Sequence, residues 1–190
     1  MRSVAVVPAA GSAERFGGRK LLTPIDGEPL LDRTISSLLN GGADQVIVVL
    51  GPGSDELTRD VNALSDPRVW STVNPDPERG MFSSLQTGMA EAEGDALLVL
   101  PGDMPFVESA TVAILLAAYA KRAAIVSPRY HGKRGHPVVL PPALRDEIRA
   151  ADPAMTLHDI LKRHADLRMD VDVSDRGVVR DVDRVADLTG

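Results

Sequence analysis

An α/β fold on a mostly parallel sheet is predicted by three features of the chain: short apolar runs rich in β-branched residues, helical periodicities between them, and turn signals at the junctions. Ser3 to Val7, Gln45 to Leu50, Val69 to Val73, Asp95 to Leu100 and Ala123 to Ser127 have strand length, and most lack a polar face, as strands buried on both sides require. Strands that alternate with helices imply right-handed crossovers and three layers, α/β/α. Ligands on such sheets bind at the carboxyl ends of the strands, so the loops after Val7, Val73 and Leu100 are where chemistry is expected.

Taken in order, Ser3 to Val7 opens the chain as a core strand bounded by Pro8 and Gly11. Asp26-Gly27 is a turn signal. Pro29 starts a helix that runs to about Asn40, with Leu30, Leu31, Ile35, Leu38 and Leu39 at helical spacing and Gly41-Gly42 as its stop. A shorter helix is expected over Asp55 to Leu64, another over Ser109 to Lys121, and short amphipathic helices over Pro142 to Ile148 and Thr156 to His164. Arg129 to Arg134 reads as a basic loop before the apolar run Val138 to Leu140. The tail, Leu167 to Val173 and Val178 to Asp183, alternates apolar residues with aspartates and suits edge strands.

At 190 residues the chain has the length of one domain, 1–190, able to bury a real core. Hydrophobic residues make up 44% and aromatics 3%, so that core rests on Val, Leu, Ala and Ile. A net charge of -6 disfavours nucleic acid and anionic membrane surfaces, both of which need basic footprints. The absence of cysteine excludes a disulfide frame, a thiolate metal site and a cysteine nucleophile. No apolar run approaches a membrane span, and a cytoplasmic location is expected.

The first loop, Ala9 to Lys20, holds three glycines and three cations. A small-residue loop lets backbone N–H groups approach an anion, and Arg15, Arg19 and Lys20 add charge, so a phosphate-bearing guest suits it. An ordinary βα connection with a solvated basic patch would read the same way. A Walker-type phosphate loop is excluded because Leu21 follows Lys20, and the dinucleotide motif G-x-G-x-x-G is absent.

This stretch resembles the signature LAAG-x-S-x-R-x-G-x-x-K of the MobA-like nucleotidyltransferases, present here as Ala9-Ala10-Gly11, Arg15, Gly17 and Lys20. Within that superfamily PAAGSAERFGGRKLL is similar to the opening of molybdenum cofactor cytidylyltransferases, with Pro8 in place of leucine and Ser12 one place early. The resemblance continues. Asn74, Gly80, Ser84-Leu85 and Gly88 match the segment N…G…SL…G, Gly102-Asp103-Met104-Pro105 matches GD-x-P, Gly135-His136-Pro137 matches G-H-P, and Asp181-Val182-Asp183 falls on D-I-D.

The resemblance implies a Rossmann-like fold of the nucleotide-diphospho-sugar transferase type. It also implies a triphosphate wrapped by Ala9, Ala10 and Gly11, with Arg15 and Lys20 on its phosphates and Asn74, Gly80 and Ser84 on the base side. His136 would line the site, and Asp103 and Asp183, with Asp181 as the competing choice for the second, would hold a magnesium ion, Mg2+. Independently of any family, an aspartate at the end of a central parallel strand is costly unless a cation or donor meets it. The reaction implied is transfer of CMP from CTP to a phosphorylated acceptor such as the molybdopterin cofactor. A guanylyl- or other nucleotidyltransferase on a different acceptor is the alternative, as is a non-catalytic nucleotide-binding accessory. A cofactor-accepting oxidoreductase is a further partner that the resemblance implies. One departure bears on the acceptor: Ala151 to Thr156 stands where the cytidylyltransferases carry GD-x-GAR.

Overall fold

A computed structural model describes residues 1–11, 20–184 and 187 of the chain. β1 (Ser3–Pro8) opens it, and β2 (Pro24–Ile25) and β3 (Glu28–Pro29) form a small separate hairpin over the Asp26-Gly27 turn. Both turn residues have positive φ, 52° and 87°, the pairing that suits a two-residue hairpin. The other strands are β4 (Gln45–Leu50), β5 (Val69–Val73), β6 (Ala96–Val99), β7 (Ile125–Tyr130), β8 (Lys133–Arg134), β9 (Val138–Leu140) and β10 (Arg168–Asp172). The helices are α1 (Leu30–Asn40), α2 (Asp55–Asp60), α3 (Met81–Glu91), α4 (Ser109–Lys121), α5 (Ala143–Ala150) and α6 (Leu157–Arg163).

Eight strands form the main sheet in the order β10-β7-β9-β6-β1-β4-β5, with β8 paired to β7. The neighbours β6-β1, β1-β4, β4-β5 and β7-β10 are parallel, so the sheet is mixed and mostly parallel. Alternation along each strand divides the core between its two faces. Ala5, Val7, Val46, Val48 and Leu98 share one buried cluster with α1 and α4. Val4, Val6, Ile47, Val49 and Leu97 share the other with α3, α5 and α6. This is the three-layer arrangement that the sequence predicts.

Four segments differ from expectation, each for a local reason. The helix from Asp55 ends at Asp60, because Val61 turns extended and buries its side chain, and Asp32 takes the N–H groups of Asn62 and Ala63 at 3.2 and 2.6 Å. The basic loop after Arg129 is a hairpin, β7 to β8, whose turn residues His131 and Gly132 both have positive φ. Val138 to Leu140 is a strand inserted antiparallel between β6 and β7. Val178 to Asp183 is no strand. Arg176–Val179 forms a 3-10 turn instead, capped by the buried Asp175, whose carboxylate also accepts from the Glu108 N–H and the Thr111 hydroxyl. Among the described residues no helix is long and apolar enough to cross a membrane.

Candidate active site

Because β1 and β6 are adjacent and parallel, their carboxyl ends open into one cleft. Gly102 N–H donates to the Pro8 carbonyl at 2.9 Å and joins the two exits, while Ala9 N–H donates to the Val49 carbonyl of β4 at 2.8 Å and the Thr34 hydroxyl to the Gly102 carbonyl at 3.1 Å. Asp103 is thereby fixed on a rigid turn. The cleft measures about 420 Å³ and is lined by Ala9, Ala10, Gly11, Lys20, Gly80, Ser84 and Asp103 among others. Arg15 lies outside the described residues.

The second carboxylate arrives from the far end of the chain. Val182 buries its side chain against Ile25 and Leu30 and donates its N–H to the Asp103 carbonyl at 2.9 Å, which places Asp183 beside the turn. The Asp187 carboxylate accepts from the N–H groups of Asp183 and Arg184 at 2.9 and 2.7 Å. Lys20 Nζ then lies 2.8 Å from Asp103 Oδ2 and 3.4 Å from Asp183 Oδ1. Both oxygens meet one ammonium and are no farther apart than the sum of those distances, inside the span of about 8 Å that one hydrated magnesium bridges. Lys20 supplies the positive charge that such a pair of carboxylates requires. Asp181 lines a neighbouring chamber of about 410 Å³ with Asp103, Lys133, Arg134 and His136.

His136 reaches this edge because β9 runs antiparallel, so that its amino end lies beside the carboxyl end of β6. Its Nδ1 is 3.2 Å from the Val99 carbonyl. A carbonyl only accepts, so Nδ1 carries a proton and the neutral ring offers Nε2 as an acceptor. Burial pushes the imidazole below its ordinary pKa, against smaller raising effects of the Val99 hydrogen bond and the Asp103 charge.

The loop after β5 divides the residues of its motif by role. Gly80, with φ 92° and ψ 176°, adopts a conformation open to glycine and starts α3. Ser84 reaches the cleft, whereas Asn74 is 2% exposed and sits beneath it. The Asn74 amide donates to the hydroxyls of Ser83 and Ser84 at 2.8 and 3.0 Å, and its oxygen accepts from Asp76 N–H at 3.0 Å. The structure therefore places Asn74 as the residue that orients the serines and not on the cleft wall. Gly88 has a packing reason: a Cβ there would meet Val6 Cγ1 at 2.4 Å and Val49 Cγ2 at 2.9 Å.

A third chamber of about 490 Å³ adjoins both others and is walled by α3, β9, α6 and the Pro153 to Thr156 segment. All three meet at Met81 and Pro101. Met81 opens α3 with 61% of its surface exposed. Neither Met81 nor Arg168, which lines the third chamber, stands out in the sequence.

Residues 5–167 match the family described as the MobA-like NTP transferase domain. The chain belongs to this family of nucleotidyltransferases. Among curated relatives it is 31% identical to nicotine blue oxidoreductase of Paenarthrobacter nicotinovorans, over 96% of this chain and 93% of that one. It is also 30% identical to molybdenum cofactor guanylyltransferase of Shewanella amazonensis, over 79% of this chain and 74% of that one. Among solved structures, Rv0371c of Mycobacterium tuberculosis aligns with a TM-score of 0.80 at 27% identity, covering 98% of this chain and 95% of that one. A manganese complex of Rv0371c aligns with a TM-score of 0.76 at 24% identity, covering 98% and 96%. The family expected from the first loop and the GD-x-P turn is thus the one to which the chain belongs.

Proposed function

We propose that this MobA-like protein transfers CMP from CTP to a phosphorylated acceptor, of which the molybdopterin cofactor is an example, and releases pyrophosphate. An acceptor phosphate oxygen attacks the α-phosphorus, the α–β phosphoanhydride bond breaks, and its electron pair leaves with pyrophosphate. Such chemistry depends on positioning and charge neutralisation more than on a proton-transferring base. The observation that carries the reading is Lys20 held against Asp103 and Asp183 at the mouth of a cleft walled by Ala9, Ala10 and Gly11.

In this reading Lys20 neutralises the triphosphate, joined on its motif alone by Arg15, and the small residues of the loop admit the phosphates. Ser84 and Gly80 border the nucleoside, and Asn74 holds Ser84 in place. Asp103 and Asp183 fit a divalent cation by donor chemistry: hard oxygens from two separate segments converge on one point. No group of three or more candidate ligands occurs among the described residues, which leaves coordination positions for water and phosphate oxygens. Bound there, magnesium or manganese supplies neutralisation of phosphate charge. His136, kept neutral by burial and held by its bond to Val99 with the proton on Nδ1, offers Nε2 to a donor on the acceptor.

A thermal-shift panel of CTP, GTP, ATP and UTP with magnesium tests the assignment. A ligand at 100 times its Kd adds about 2.7 kcal/mol, which for a chain of this size raises Tm by roughly 5–10 °C. CTP is expected to give the largest rise. A larger rise with GTP transfers the reading to guanylyl transfer and leaves the fold as it is. One observation favours a second reading: the Paenarthrobacter relative, matched over 96% of this chain, is named an oxidoreductase. Reduction of a substrate at the expense of an electron donor, without pyrophosphate release, would select that reading.

A further inference from the structure

The third chamber contains a cation that the transfer reaction does not use. Its walls are apolar: Phe82 and Leu85 of α3, Val138 of β9 and Leu161 of α6 line it and are each at most 6% exposed. Its rim comes from the segment that departs from the cytidylyltransferase pattern, with Pro153, Ala154 and Met155 facing the space. Gln86 anchors that rim, donating to the carbonyls of Ile148 and Ala151 at 3.0 and 2.9 Å.

Arg168, the first residue of β10, lines the same chamber. Its Nη2 donates to the Ser127 hydroxyl at 3.3 Å, and its Nε is buried without a hydrogen-bond partner. The nearby Asp170 is taken by Arg134 at 2.7 Å and Arg129 at 3.8 Å, and among the described residues no carboxylate forms an ion pair with Arg168. Burial, with repulsion from Arg134, pulls the guanidinium below its ordinary pKa. That Nε is itself occluded, so what the chamber meets is the rest of a guanidinium without a carboxylate counter-ion, a position that an acidic guest suits.

We propose that this chamber holds the body of the acceptor, an apolar ring system bearing an acidic group, separate from the reacting phosphate, that pairs with Arg168. That the guest is the acceptor rests on the transfer reaction proposed above; the binding site stands on the chamber itself. Its shared border at Met81 and Pro101 puts such a guest directly beside a nucleotide in the cleft.

The test is calorimetric titration of the full chain with 2-naphthoate and its neutral isostere 2-naphthamide, each with and without saturating CTP and magnesium. Because a hydrogen bond to a charged partner is at stake, naphthoate is expected to bind about 10- to 100-fold more tightly than the amide. Arg168→Gln should erase that preference while sparing the amide, Arg168→Lys should keep part of it, and Met155→Asp at the rim should weaken both. Retention of naphthoate binding with CTP present would assign the probe to the third chamber. Absence of binding by either probe, equal affinities in the native protein, a preference that survives Arg168→Gln, or displacement by CTP would each overturn the proposal. If naphthoate binds as expected but no triphosphate yields pyrophosphate with any acceptor, the transfer reading fails and the chamber assignment stands.

Discussion

The cleft between β1 and β6 and the chamber beside it share a border and differ in construction. The cleft is made of backbone and charge: a small-residue loop, a lysine, and two carboxylates from segments 80 residues apart in the chain, Asp103 and Asp183. The chamber is made of side-chain volume, with four buried apolar walls and one arginine that lacks a carboxylate partner. The contrast indicates that the nucleotide half of such a protein is written in short contiguous motifs at strand ends. The chamber proposed for the acceptor is distributed over helices and an edge strand.

Breaking the cleft should leave the chamber intact. Lys20→Met is expected to lower transfer by about 10²–10³-fold or more, the scale of losing a positioned charge. It also leaves Asp103 and Asp183 facing each other uncompensated, so the variant should melt below the native protein without metal and regain more from manganese than the native protein does. Calorimetric affinity for naphthoate should be unchanged; a parallel loss there would join the two regions into one site.

The motif after β5 sharpens the boundary between site and scaffold. Asn74→Ala leaves buried serine hydroxyls without their donor and is expected to cost about 1–3 kcal/mol, or roughly 2–12 °C in Tm. Ser84→Ala should lower CTP affinity with a smaller loss of Tm, because the Asn74 amide keeps Ser83 as an acceptor. If the two variants exchange these behaviours, Asn74 faces the ligand and the assignment of scaffold and site is reversed. Gly88→Ala, forced into Val6 and Val49, should cost about 1–3 kcal/mol of stability while the folded fraction keeps its CTP affinity.

Much of this was legible in the sequence, for identifiable reasons. Asp103 follows an unbroken apolar strand and sits in a four-residue turn, so its place at the carboxyl edge needed no long-range information. Asp183 was legible as a carboxylate of the tail motif, but its route was not. Alternation suggested a strand, whereas Val182 anchors the segment by one buried side chain and one bond to Asp103. The direction of β9 was hidden because three apolar residues carry no polarity; the β7–β8 hairpin turns the chain and decides it. Arg168 was hidden for a related reason. It belongs to the same alternation as Asp170 and Asp172, and only pairing across the sheet shows that those aspartates are claimed by Arg134 and Arg129.

The smallest effect expected lies at His136, in the wall of the chamber. Because burial depresses the His136 pKa in the folded state, the unfolded chain binds the proton more readily, so this residue's contribution to stability is complete above the ordinary histidine pKa of about 6.5 and declines as pH falls below it. Native protein should therefore lose Tm between about pH 6.5 and 5 relative to His136→Gln, and parallel curves would show that the ring is not buried as described.

The claim that one ammonium marks the metal and triphosphate position is tested most directly by counting bound manganese. Electron paramagnetic resonance of free manganese, titrated with full-length protein and CTP, should show one ion bound per chain in the native protein. Binding should be lost in Asp103→Asn and Asp183→Asn and retained in Asp181→Asn. Binding that survives Asp183→Asn and disappears in Asp181→Asn would contradict the account.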